Sequence, residues 1–117
     1  MSAEVEFRML LTDALQKRDR EMLEDLLWQL AEQRRLHAVL RELEPGELAR
    51  LAEVLGDETF GEFLAELEPS DAAEILERLS SAEAADVLEA MAPDDAADVL
   101  SRLDPAEARQ ILVEMEP

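Results

Sequence analysis

A chain of 117 residues suits one domain with a single modest core, and the absence of Cys excludes disulfides and thiolate metal sites. Hydrophobic residues make up 48% of it, mostly Leu, Ala, Met and Val, with only three Gly, 3% aromatics and no Tyr, which argues against disorder and for an all-α fold. The net charge of −19 is uneven: residues 1–50 hold 8 basic and 11 acidic residues, residues 51–117 hold 3 and 19, so the second half repels phosphate backbones and anionic membranes and attracts cations or a basic protein surface.

No apolar run approaches the roughly 20 residues that span a bilayer. The opening MSAEVEFRM carries acids where a signal peptide is basic and then apolar, so the simplest expectation is a cytosolic domain. Residues 3–17 carry Val5, Met9, Leu11 and Leu15 among polar residues and predict a helix. Residues 16–19 predict a short connection. Residues 20–31 place Leu23, Leu26, Leu27 and Leu30 on a second helical stripe, with Trp28 beside it as a core or capping residue. Residues 1–32 are thus expected to cap one end of the fold. His37 stands beside the apolar Leu36, and with no second His in the chain it predicts a surface or edge residue, not a metal ligand.

From residue 33 the chain falls into a twelve-residue register set by proline. Stepping by twelve from Pro45 gives Asp57, Pro69, Ser81, Pro93, Pro105 and Pro117. The blocks read PGELARLAEVLG, DETFGEFLAELE, PSDAAEILERLS, SAEAADVLEAMA, PDDAADVLSRLD and PAEARQILVEME, preceded by QRRLHAVLRELE from Gln33. Apolar residues recur three, six, seven and ten places after each start, as in Ala72, Ile75, Leu76 and Leu79, or Ala96, Val99, Leu100 and Leu103. That is the stripe of an amphipathic helix. Each block start predicts a helix start, with Pro at N1, a cap such as Ser80 or Asp104 before it, and an acid in the first turn: Glu47, Asp71, Glu83, Asp95 and Glu107.

One continuous helix is excluded. Twelve residues at about 100° each rotate the stripe by roughly 120° per block, and an internal Pro costs about 3 kcal/mol. The register therefore predicts helices of about ten residues joined by turns of one or two residues. Helices that short must stack on their neighbours, as in a helical solenoid with two blocks per unit. Catalysis is not expected, because the chain has no Cys, no Tyr, one His and no Gly-rich phosphate loop.

LEPSDAAEILERL, APDDAADVLSRLD and DPAEARQILVEM resemble the N-terminal domain of MgtE-type magnesium transporters. The resemblance is strongest over residues 43–117 and extends to residue 10 through LLTDALQKRDREMLEDLL. It implies an all-α right-handed superhelix, or solenoid, of short helices with armadillo/HEAT-like stacking. It also implies a cytoplasmic domain of a bacterial inner-membrane protein, followed by CBS domains, a connecting helix and a dimeric transmembrane pore. Residues 1–117 are expected to be one such domain, cut from a longer protein at Pro117, which would open another block. The same blocks are similar to the middle part of the flagellar rotor switch protein, a protein–protein interaction module. That family's EHPQ-type motif is absent here, and the acidity of residues 51–117 suits a magnesium sensor better.

The transporter resemblance implies a mechanism. Mg²⁺ bridges this domain to the CBS domains and connecting helix, neutralises the repulsion between acidic faces, and closes the pore. Asp94 and Asp95 are the densest acid pair in the block register, and Asp98 shares the helical face of Asp94. Asp94 matches a position whose carboxylate faces the CBS domain in that family, and Glu62 matches a second such position across a one-residue gap. Asp94, Asp95, Asp98 and Glu62 are therefore the expected metal ligands. The other reading of all four is solubility charge, and Asp95 has a structural use in its first turn as well. Mg²⁺ is expected to bind the isolated domain weakly or not at all, because half its ligands lie on partners. The isolated domain is expected to be a monomer, and the whole transporter a homodimer, with no nucleic-acid partner and no insertion of this domain into the membrane.

Overall fold

The computed structural model describes residues 3–115, so Pro117 lies outside the described residues. Among the described residues the chain forms nine α-helices and no strand: α1 (Ala3–Lys17), α2 (Arg20–Glu32), α3 (Leu36–Leu40), α4 (Pro45–Leu55), α5 (Asp57–Ala65), α6 (Pro69–Leu76), α7 (Ser81–Ala90), α8 (Pro93–Leu100) and α9 (Pro105–Met115). No helix among these residues is long and apolar enough to cross a membrane.

The register sets the helix starts. From Pro45 onward every block start opens a helix, four of them with Pro in first position. Local chemistry holds these starts. The Ser80 Oγ accepts a hydrogen bond from the Glu83 amide at 3.1 Å, and the Ser80 amide donates to the Glu83 carboxylate at 3.0 Å. Glu44 and Glu47 repeat that exchange at the head of α4, where the Glu44 amide reaches Glu47 Oε1 at 2.9 Å. Asp19 caps α2 by accepting from the Met22 amide at 3.1 Å. The expected acids stand in the first turns of α4, α6, α7, α8 and α9.

Within the register two turns have the expected length of one or two residues, α4–α5 and α7–α8, and the others are longer. Gly56 alone joins α4 to α5, at a φ of 87° that an L side chain rarely adopts. The links after α6 and α8 run four residues, 77–80 and 101–104. There the helix tightens into i→i−3 bonds, such as Arg78 N to Ile75 O and Leu79 N to Leu76 O. This tightening turns the tenth apolar position inward from a loop instead of a helix: Leu43, Leu79 and Leu103 are all buried. The block from Gln33 is also corrected, since its helix begins only at Leu36. Residues 33–35 are used to close α2, with Arg34 in the left-handed region (φ 58°) and the Arg35 amide bonded back to Leu30 O. Arg18, at φ 54°, closes α1 in the same way, with the Asp19 amide bonded to Ala14 O.

The apolar stripes meet in one core, which contains no buried polar or charged residue among those described. Phe60, Phe63 and a series of leucines, among them Leu11, Leu23, Leu48 and Leu51, are almost completely buried in it. Beyond the α1–α2 pair, which packs on α4, the helices fall into two rows, α3–α6–α8 and α5–α7–α9. Contacts of α5 with α6 and of α7 with α8 tie the rows together. The molecule is accordingly elongated, 44 × 24 × 22 Å. Trp28 lies on α2 with its ring 4.5 Å from that of Phe63 on α5, and part of it remains open to solvent, so it packs against the core from outside and is not buried in it.

Candidate functional site: an undercompensated acidic face

The charge imbalance of the sequence becomes a spatial division. Arginines of α1 and of the link after it pair with acids further along the chain: Arg18 with Glu53 at 2.6 Å and Arg8 with Glu42 at 3.4 Å and Glu47 at 3.9 Å. Arg20 donates to the Thr59 hydroxyl at 3.0 Å. Past α5 this compensation thins out. Arg78 turns back to α3 and donates to the carbonyls of Leu40 (3.3 Å), Arg41 (2.7 Å) and Leu43. Arg102 spends its guanidinium on Asp98 O and Ser101 Oγ of its own turn.

Crowded acids on this side respond electrostatically. Partial desolvation, then the charges of Asp104, Glu107 and Glu74, raise the Glu77 carboxyl above its ordinary value. Desolvation and the nearby Asp86 raise Asp57 in the same way. Asp57 and Asp86 share a shallow cleft of about 310 Å³ with Glu53 and Glu83, so four carboxylates line one concavity between α4, α5 and α7. A divalent cation or a basic side chain would relieve such repulsion.

The four acids expected as ligands lie on this exposed surface. Asp94 and Asp95 occupy the first turn of α8, Asp98 follows one turn on, and Glu62 projects from α5. All four are exposed, and none makes an ion pair with a described Lys or Arg. They do not converge on a common point. Among the described residues the group that does converge is His37, Asp71 and Glu74, whose ligand atoms lie within 4.8 Å of one another. Sequence reasoning passed over that group, because His37 and its two acids are brought together only by the packing of α3 on α6. The spacing of Asp71 and Glu74 at i, i+3 was the one available hint.

Fold and surface together define an all-helical domain whose polar chemistry sits on its outer face and not in an enclosed cavity. The MgtE intracellular N domain family matches residues 34–117, and the chain belongs to that family. Among solved structures, the chain is similar to the crystal structure of the soluble part of a magnesium transporter, at 21% identity and a TM-score of 0.46. That alignment covers 97% of this chain but 49% of the other, so the chain spans about half the length of that relative. No curated protein matches it.

Proposed function

We propose that this domain is the cytoplasmic regulatory part of a magnesium transporter, and that it senses Mg²⁺ through contacts bridged to CBS domains and a connecting helix of the same protein. The observation that carries this reading is the family membership over residues 34–117. The surface supplies its physical basis. Mg²⁺ keeps several waters and is held by one or two carboxylates, so sparse, exposed acids on opposed surfaces suit it better than a preformed cage. Asp94, without an ion-pair partner at the head of α8, is the leading bridging carboxylate. Asp95, Asp98 and Glu62 are the further ligands. A cation that binds only the compact arrangement shifts the population toward it, and the pore closes.

In this reading the two rows of helices continue a right-handed superhelix that stays rigid while the neighbouring domains move. Residues 1–32 cap one end of it and residues 33–117 form the stacked blocks. The assembled transporter is a homodimer, the separate domain is a monomer with little Mg²⁺ affinity of its own, and the domain is not an enzyme. The family membership favours this reading over the rotor-switch interaction module.

Mg²⁺-dependent protease protection tests the proposal, on this chain alone and on the whole transporter. Strong protection of the whole protein, little of this chain, and loss of protection in Asp94→Ala are the expected results. Undiminished protection in Asp94→Ala would remove Asp94 from the site, and a whole protein indifferent to Mg²⁺ would overturn the sensing role.

A further inference from the structure

The packing of α3 on α6 assembles a donor set of a different kind from the acidic face. His37 Nε2 lies 3.4 Å from Glu74 Oε2 and 3.7 Å from Asp71 Oδ1. Asp71 and Glu74 are one turn apart on α6, so a single helix face presents both carboxylates to the imidazole. A tetrahedral ion with bonds of about 2.0–2.2 Å sets its ligands about 3.4 Å apart, close to the spacing found here. The second Glu74 oxygen lies 3.8 Å from Arg41 Nε, a contact that orients the carboxylate while Oε2 faces the histidine.

A second observation points to an occupant. The His37 side chain is 22% exposed, but its Nε2 atom is closed to solvent and has no hydrogen-bond partner. A buried imidazole nitrogen left in that state is unfavourable, and an ion placed between it and the two carboxylates would satisfy all three groups at once. Beside it opens a concavity of about 410 Å³ whose lining includes His37, Asp71, Glu66 and Glu68. It gives a route in and room for water as a fourth ligand. Arg34 also lines it and opposes a cation, but the acids there outnumber it.

We propose that His37, Asp71 and Glu74 form a site for a borderline divalent transition ion of the zinc type, which clamps α3 to α6. The imidazole ligand separates this site from any Mg²⁺ site, since Mg²⁺ selects oxygen donors and nitrogen favours zinc, cobalt and nickel. The inference does not depend on the transporter reading, because the site is complete within this chain.

The test is calorimetric titration of Zn²⁺ into this chain, with Co²⁺ absorption as a report on coordination. One Zn²⁺ per chain, a tetrahedral Co²⁺ spectrum and a Zn²⁺-dependent rise in Tm are expected. His37→Ala should abolish all three, Glu74→Gln should weaken binding by at least about tenfold, and Asp25→Ala, on the exposed side of α2, should leave binding unchanged. Circular dichroism confirms that each variant folds. If His37→Ala does not fold, the exposed Glu74→Gln carries the test. Zn²⁺ binding that survives these substitutions, or no binding by the intact chain, overturns the proposal and leaves the three groups as an ion pair.

Discussion

Arg78 offers the sharpest prediction about how the stack holds together. It follows α6 and places its guanidinium under the end of α3, at the carbonyls of Leu40, Arg41 and Leu43, where the regular helical hydrogen bonding runs out and Leu40 O otherwise accepts from the Leu43 amide. Two of its three acceptors, Leu40 O and Leu43 O, are partly buried, and the third, Arg41 O, is exposed. A net of about 1–1.5 kcal/mol for each partly buried, charge-assisted bond and less for the exposed one gives about 2–3 kcal/mol in all. For a domain of this size that corresponds to a fall in Tm on the order of 10 °C. Arg78→Met keeps the aliphatic stem and removes the donors, so thermal unfolding followed by circular dichroism measures this term directly. Arg78→Lys should recover only part of the loss, because an ammonium cannot span three carbonyls as a planar fork can. A loss below about 0.5 kcal/mol for Arg78→Met would show that water replaces these bonds freely and would refute the clamp.

Two further predictions concern packing and charge. A Cβ at Gly61, where α5 meets α7, would stand 2.9 Å from Met91 Cγ, so Gly61→Ala sets a helix-propensity gain of about 1 kcal/mol against a steric clash. In a Met91→Ala background the clash is gone, and a double-mutant cycle should show a coupling of at least about 1 kcal/mol; additivity would contradict the close approach. Glu77 holds its proton to higher pH in the folded chain than in the unfolded one, so its contribution to stability is present in acid and is lost as pH rises from the ordinary value of 4.5 through the raised native one. Glu77→Gln should therefore be more stable than the parent at neutral pH, modestly because the side chain is exposed, with the difference vanishing in acid and shrinking in salt. Equal stability at neutral pH and low salt would remove the repulsion from Asp104, Glu107 and Glu74.

The helix starts were legible because Pro69, Pro93 and Pro105 cannot sit inside a helix, and Ser80 with Glu83 spells a capping box. The apolar stripe was legible for the same periodic reason, and Ala72, Ile75 and Leu76 are buried as it requires. Helix ends were less legible, since apart from Gly56 after α4 no glycine marks them among the described residues. Arg18 and Arg34 take the left-handed closing position instead, which residue type alone does not announce. Nothing in the local pattern announces that Arg78 reaches back to the carbonyls at the end of α3. Of the candidate sites, the first-turn acids of α8 could be placed from sequence. The meeting of His37 with Asp71 and Glu74 spans residues 37 to 74 and depends on which helices pack together, which a local pattern does not encode.

Magnesium flux through the whole transporter, measured as internal Mg²⁺ is raised, tests the central claim most directly. Joint replacement of Asp94, Asp95, Asp98 and Glu62 by Ala should leave the pore conducting at Mg²⁺ levels that silence the parent, with the domain still folded. If the replaced protein closes at the same Mg²⁺ level as the parent, these acids are solubility charges and the sensing role assigned to them is contradicted.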